Sequence, residues 1–261
     1  MATFVHGKST RVLLGRYDMS PFLTEASVDA SIEAPETSAF GSSHKTYLAG
    51  GLGDVTASFS GLYSFGTTAD STGSDSTHIV QVLDTWLGGS SRFVTTILPS
   101  GYTAGARALL MTGDVTAYAI SAPVADVVKT SLELQGSDGY DGGRLLRALT
   151  ASTSTGSGSA VASIGTTSAG GSTGGGVFHL HVTAERNVVT ATVKVQHSTS
   201  GSTWADLTTF TAATGPTVQR STVAGTIKEQ LRATLSTLTE GATGGSLTWA
   251  VAGARRGIFK T

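Results

Sequence analysis

The chain has 261 residues, a formal net charge of −1 and no cysteine, and only 13% of its residues are charged. Without cysteine, a disulfide framework, a thiolate metal site and a cysteine nucleophile are all excluded. So little charge is unfavourable for a solitary soluble monomer, and it favours a protein whose surface is covered by copies of itself.

Residues 22–34 alternate strictly between apolar and polar side chains, which predicts a long β-strand with two different faces. The apolar face carries Ala26, Val28, Ala30, Ile32 and Ala34. The polar face carries Glu25, Ser27, Asp29, Ser31 and Glu33. Residues 54–63 alternate in the same way and predict a second strand, whose polar face carries Asp54, Thr56, Ser58 and Ser60.

A connection at 35–53 joins these two strands and is much longer than the connections usual in compact domains. It has neither a helical nor a strand period, yet it contains Phe40, Tyr47 and Leu48, which a free solvated loop disfavours. Two interpretations stay open. The loop contacts a neighbouring subunit, or it packs on its own domain.

A helix is predicted at 77–87. Its apolar stripe consists of Ile79, Val82, Leu83, Trp86 and Leu87, at the spacing of one helix face. The glycine pair at 88–89 provides a C-terminal stop. Further strands are predicted at 92–98, 106–111, 115–121 and 127–135, so the pattern is mainly β and of the α+β class.

The composition changes after residue 135. Residues 136–143 look like a turn, 144–149 suggest a short strand, and 151–176 are almost entirely Ser, Thr, Gly and Ala, as in a flexible linker. Alternation returns from residue 177, with strands every 8–14 residues, which predicts a small all-β sandwich. The resulting division is a first domain at 1–145, a linker at 146–176 and a second domain at 177–261.

Motifs for chemistry are scarce, and no catalytic residue, metal or cofactor is expected. His179 and His181 share a strand face and could form a metal pair, but without Cys or a suitably spaced carboxylate the favoured interpretation is a pair of exposed histidines. Asp29 and Glu33 resemble a glycosidase carboxylate pair, yet no aromatic platform lies beside them. The chain is therefore not expected to be an enzyme.

Charge is divided between the two halves of the chain. Residues 1–145 carry 8 basic and 14 acidic side chains, whereas residues 146–261 carry 9 basic and 4 acidic side chains. A nucleic-acid binder would instead present one continuous basic patch. The sequence also shows no secretory signal and no membrane span, so folding in a cytoplasm is expected.

Several short blocks within residues 4–135 together resemble the major tail tube proteins of long-tailed, siphovirus-type bacteriophages, in particular those of phages that infect high-GC Gram-positive bacteria. The blocks are His-Gly-Lys near the start, Ser-Pro-Phe-Leu-Thr-Glu at 20–25, Glu-Thr-Ser-Ala-Phe-Gly at 36–41, Ser-His-Lys-Thr-Tyr-Leu-Ala-Gly-Gly-Leu-Gly-Asp at 43–54 and Val-Thr-Ala-Ser-Phe-Ser-Gly-Leu-Tyr at 55–63. The resemblance implies a tube-type β-sandwich or barrel flanked by one helix. Residues 193–207 weakly resemble the sandwich modules appended to phage structural proteins.

The resemblance also implies a function in the virion. Subunits would form hexameric rings, stacked into a tail tube that conducts DNA, with contacts to a tape-measure protein and to tail terminator and tip proteins. Assembly would occur in the cytoplasm of the bacterial host. Passing DNA would not be bound specifically, and no membrane would be involved.

Two groups of residues are expected to serve such a tube. The polar face would line the bore and repel phosphates, through Glu25, Asp29, Glu33, Asp54, Thr56 and Ser58. The long loop would contact other subunits or rings, through Phe40, His44, Lys45, Tyr47 and Leu48. A polar face that simply meets solvent on the outside stays an alternative for the first group.

A second function of a different class stays open. The chain could be a capsid or tail decoration protein or adhesin that binds host-surface glycans through Trp204 or Trp249. Both tryptophans also fit a hydrophobic core, which is the favoured interpretation. A hydrolase is disfavoured because no nucleophile and base stand in a recognisable arrangement.

Overall fold

The computed structural model of the chain describes residues 6–34, 36–38, 40, 43–45, 47, 53–63, 87, 92–161, 172–241 and 244–256. Strands dominate these residues, and a short 3-10 turn at Gly7–Ser9 precedes them. The strands are β1 Arg11–Leu14, β2 Tyr17–Asp18, β3 Leu23–Ile32, β4 Gly53–Leu62, β5 Phe93–Leu98, β6 Arg107–Ser121, β7 Lys129–Ser152, β8 Gly156–Ser157, β9 Gly176–Arg186, β10 Val188–Ser198, β11 Ala205–Thr209, β12 Thr217–Val223, β13 Gln230–Glu240 and β14 Ser246–Arg255. The mainly β fold predicted from the alternating pattern is confirmed.

The predicted helix at 77–87 lies outside the described residues, apart from Leu87. Leu87 lies in a turn and its side chain is half exposed. The helix therefore stays a prediction.

β3 and β4 form an antiparallel pair, as their matching alternation indicates. Their register places Ser27 opposite Ser58 and Asp29 opposite Thr56, so the polar faces of the two strands coincide. β4 also pairs with residues 129–135 of β7, and these pair with residues 114–121 of β6. The four segments form one antiparallel sheet, which we call the β3–β4–β7–β6 unit.

β7 crosses the predicted boundary at 145/146 without a break. It contains the segment 136–143, predicted as a turn, and the segment 144–149, predicted as a short strand. The turn prediction is wrong, whereas the predicted short strand is part of β7. β7 also includes the first residues of the predicted linker, up to Ser152. A bulge between Gly136 and Tyr140 keeps the glycine-rich segment in the sheet, and Leu145 and Leu146 are fully buried. The rest of the domain division stays a prediction.

The strands belong to two sheets. The larger runs in the order β12-β9-β14-β7-β6-β5-β1-β2, with β4 and β3 attached to β7 as a branch, and the smaller runs β11-β10-β13-β8. Phe178 and Trp249 of the larger sheet pack with Val193 and Leu231 of the smaller one in the core of the second half. A separate cluster around Phe59 forms the core of the first half.

β9 and β14 are buried on both faces. In β14, Trp249 and Val251 face the second-half core, whereas Ala252 and Ala254 pack with Leu98 and other first-half residues. Small side chains on this back face allow the two halves to approach closely. The larger sheet therefore folds back on itself, so that β5 contacts β9 although three strands separate them in the sheet order.

Candidate assembly surfaces

One face of the β3–β4–β7–β6 unit is polar and acidic. Cross-strand neighbours form rows on this face, such as Ser27, Ser58 and Glu133. Its acidic side chains are Glu25, Asp29, Asp54, Asp114 and Glu133. Five of the residues predicted to line a bore therefore lie together here: Glu25, Asp29, Asp54, Thr56 and Ser58. The sixth, Glu33, follows the end of β3 and is exposed.

The opposite face of this unit packs on the first-half core, as the alternation predicts. Val55, Phe59 and Leu132 are buried there. The pattern fails at the end of β3, where Ile32 is 69% exposed. Its cross-strand neighbour is Gly53, which has no side chain to cover it. The apolar face of β3 is therefore shielded from solvent only along part of its length.

Hydrogen bonds tie the acidic side chains to their neighbours. The Gln135 amide donates to the Asp54 carboxylate, and the Ser60 hydroxyl donates to Glu25 over 3.4 Å. At the edge where β7 begins, Lys129 lies 2.8 Å from Asp126, and this ammonium holds the pKa of the Asp126 carboxyl below its usual value. The ammonium of Lys129, which lies in register with this face, is thus already paired.

Sequence reasoning did not select Asp114 and Glu133 for this face. The signal for Glu133 was present, because Lys129, Ser131, Glu133 and Gln135 alternate with apolar residues in the same way as β3 and β4. Asp114 gives no such signal, since a bulge between Val115 and Ala117 interrupts the alternation of β6. Only the pairing of Asp114 with Gln135 places it on the acidic face.

The long connection after β3 exposes aromatic side chains. Phe40 is fully exposed and Tyr47 is 56% exposed. Glu36 pairs with Tyr47 in an isolated bridge, and its carboxylate lies 3.1 Å from the Lys45 ammonium. His44 exchanges a hydrogen bond of 2.9 Å with the neighbouring Ser43 hydroxyl. Of the residues predicted for subunit contact, Leu48 lies outside the described residues.

The β3–β4–β7–β6 unit has two strand edges without a partner in the part of the chain that is described. Among the described strands, β3 pairs with β4, and residues 114–121 of β6 pair with β7. An unpaired edge presents a row of backbone N–H and C=O groups that can add another strand.

The expectation of exposed histidines at 179 and 181 is wrong. Both imidazoles are buried, because the back of β9 is covered by the first half rather than by solvent. Among the described residues, no three His, Asp or Glu side chains gather in a group that could hold a metal ion. No helix among these residues is long and apolar enough to cross a membrane.

The two tryptophans considered for glycan binding differ in environment. Trp249 is 1% exposed, donates to the Ser152 hydroxyl over 3.0 Å and carries the Arg147 guanidinium 4.2 Å from its ring centre. It belongs to the core. Trp204 is half buried, and Arg232 covers its ring at 4.3 Å.

Comparison with solved structures finds similarity to components of phage tails and virions. The SPP1 tail tube gives a TM-score of 0.41 at 9% identity, over 53% of this chain and 78% of that chain. The SPP1 Dit protein, described as a hub adsorption apparatus of phages that infect Gram-positive bacteria, gives 0.38 at 13% identity, over 94% and 98%. The virion of a native gene transfer agent particle gives 0.37 at 10% identity, over 52% and 97%. No protein-family model and no curated protein matches the chain.

Proposed function

We propose that this chain is a structural subunit of a phage tail tube, in which copies join edge to edge into stacked rings. One observation carries the proposal: the β3–β4–β7–β6 unit combines an acidic face, a packed face and two strand edges that lack partners among the described residues. Joining such units side by side closes a cylinder without free edges. The packed faces then carry the rest of each subunit on the outside.

The strand directions fit this closure. Adjacent strands in the unit are antiparallel, so the two outer strands, β3 and β6, run in opposite directions. In a ring with rotational symmetry, β3 of one copy meets residues 114–121 of the next. The new pair is therefore antiparallel, and the pattern continues around the ring. The resemblance in the sequence implies six copies per ring.

The acidic face would form the inner wall. Carboxylates repel phosphates, and neutral hydroxyl groups carry no charge that attracts them. A basic wall would instead bind DNA by releasing its counterions. The wall would carry Glu25, Asp29, Glu33, Asp54, Asp114 and Glu133 together with Thr56 and Ser58. DNA could then pass during ejection without specific binding.

The long loop would join one ring to the next. Phe40 and Tyr47 expose aromatic surface that a second copy could bury, and the neighbouring His44, Lys45 and Leu48 would complete the contact. A tape-measure protein inside the tube, and terminator and tip proteins at its ends, are the further partners that we propose. The virion tail would be the location, after assembly in the host cytoplasm.

Engineered cysteines test the seam directly, because the natural chain has none to interfere. Ser27→Cys is combined in turn with Ala117→Cys, Ala119→Cys or Ser121→Cys, three same-face positions on β6. Closing a barrel requires a stagger between its first and last strands, so the three partners scan that register. With a short bismaleimide, one combination should give a ladder of covalent oligomers that ends at the ring size.

The matched control combines Ser27→Cys with Ala205→Cys, an exposed alanine on β11 of the smaller sheet. It should give only the background of random cross-links. Ladders of equal yield in the control, or none from any of the three seam pairs in rings seen by negative-stain microscopy, would refute the seam. A protein that stays monomeric at high concentration would refute the tube function itself.

A further inference from the structure

A buried polar cluster joins the two halves of the molecule on the back of β9. His179 and His181, two residues apart on one face, are 1% and 0% exposed, and their ring centres lie 6.2 Å apart. The Thr96 hydroxyl of β5 lies 3.1 Å from Nδ1 of His179 and 2.8 Å from Nε2 of His181. Nδ1 of His181 lies 2.6 Å from the carbonyl oxygen of Gly15, in the turn between β1 and β2.

The donors and acceptors in this cluster have a fixed order. The Gly15 carbonyl can only accept, so Nδ1 of His181 carries the proton and its Nε2, in the neutral ring, is an acceptor. The Thr96 hydroxyl must therefore donate to Nε2 of His181. Its single proton is then used, so Thr96 accepts from Nδ1–H of His179. Both histidines are thus assigned as neutral Nδ1–H tautomers, and the Thr95 carbonyl is a further acceptor beside His179.

We infer that His179, Thr96, His181 and Gly15 form a directional hydrogen-bond latch that holds the two halves together and weakens when it takes up a proton. A proton on Nε2 of His181 would turn the acceptor of the Thr96 hydroxyl into a donor. The hydroxyl proton would then have an acceptor only if His179 moved its own proton from Nδ1 to Nε2, and a positive charge would be buried. Each consequence disfavours the packed state.

The charged groups around the latch oppose protonation. Arg220 of β12 lies opposite His179 in the sheet and pairs with Asp138 over 3.0 Å, and Arg256 pairs with Asp141 over 2.9 Å. Arg16, in the turn with Gly15, has its guanidinium 5.1 Å from the centre of the Tyr17 ring. Burial, then His181, then Arg220 hold the pKa of His179 well below its usual value. Burial lowers the pKa of His181 to about 4.

The sign of the pH dependence follows from these shifts. A histidine whose pKa falls on folding binds protons more readily in the unfolded chain, so stability is full above about pH 6.5 and decreases as the pH falls. For His181 the loss extends down to about pH 4 and amounts to roughly 300-fold in the folding equilibrium. Most carboxylates titrate at about pH 4, below the range tested. The change in stability between pH 4.5 and 6.5 therefore comes mainly from the histidines.

The test measures the pH dependence of unfolding in urea between pH 4.5 and 6.5. The natural chain should take up protons at His179, at His181 and in part at His197, whose pKa burial also lowers. His181→Gln should take up about one proton fewer. His6→Gln, at an exposed imidazole, is the matched control and should keep the natural slope. An unchanged slope in His181→Gln would overturn the latch.

A second measurement uses the natural chain and does not depend on whether the variant folds. The ¹⁵N chemical shifts of the two imidazoles at pH 7 report their tautomers. Both should be neutral with the proton on Nδ1. An Nε2–H tautomer or a cationic ring at either position would contradict the latch.

Discussion

Single glycines allow the backbone of β7 to pass close to its neighbouring strands. Residues 136–143 contain four glycines and look like a turn by composition, yet they stay in the sheet. At Gly143 an added Cβ would overlap the carbonyl oxygen of Gly253 and lie 2.7 Å from its carbonyl carbon. This glycine is present because the backbone of β14 passes too close for any side chain.

Replacing Gly143 by Ala should therefore destabilise the protein by about 1–3 kcal/mol, since the backbone of β14 must shift to admit a methyl group. Gly142 is the matched control in the same strand. Its added Cβ would meet only the end of the Arg107 side chain at 3.8 Å. Gly142→Ala should be neutral or stabilising by up to about 1 kcal/mol. Urea unfolding measures the free energy of unfolding of both variants. Equal values for Gly143→Ala and Gly142→Ala would contradict the close approach of the β14 backbone to Gly143.

The histidine pair shows what residue-level reading of a sequence misses. The spacing of His179 and His181 correctly places them on one face of a strand. It gives no information about what covers that face. The cover comes from Thr96 and Gly15, more than eighty and one hundred and sixty positions away. Burial by such distant partners depends on the folding back of the sheet, for which the local pattern contains no signal.

At the scale of elements, alternation was a good predictor where strands are regular. The polar faces of β3 and β4 coincide as predicted, and five residues predicted to line a bore lie together on them, although the apolar face of β3 is exposed at Ile32. Alternation failed at β7, where a bulge and glycines interrupt the period, and at Asp114 of β6 for the same reason. Nor could the sequence predict which strand edges lack partners among the described residues, because the sequence of one strand does not determine which strand it pairs with.

The loop between β3 and β4 provides a prediction at this scale. Changing Phe40 and Tyr47 together to Ser should change the free energy of unfolding by no more than about 0.5 kcal/mol, because both side chains are exposed and surface changes are usually small. Polymerisation into tubes should nevertheless be lost, if copies bury these rings between them. Negative-stain microscopy and thermal unfolding measure the two quantities.

The control for the loop variant is Val189→Ser on β10, whose side chain is 54% exposed in the second half. It removes a similar kind of exposed apolar surface away from the proposed contact, and its tubes should be normal. Normal tubes from the double loop variant would remove the loop from the stacking contact. That result would not test the edge-to-edge contact between copies in one ring.

At the scale of the whole molecule, the division of charge between the two halves of the chain matches their positions in the fold. The acidic excess belongs to residues 1–145 and the basic excess to residues 146–261. The β3–β4–β7–β6 unit concentrates part of that acidity on one face, while the second half builds its own core on the other side of β14. In a closed ring, this arrangement would put negative charge inside and leave the basic half outside.

Reversing one charge tests that arrangement. Asp29→Lys changes an exposed carboxylate on the acidic face, and Glu240→Lys makes the same change at the exposed end of β13. If Asp29 lines the bore, each ring gains a band of ammonium groups where DNA passes, so DNA should be retained in low salt and ejection should slow. Added salt should relieve the retention, because phosphate binding by Lys weakens steeply with ionic strength. Tubes carrying Glu240→Lys should conduct DNA as the natural tube does. Equal retention by both variants, or normal ejection through Asp29→Lys tubes, would place Asp29 outside the bore.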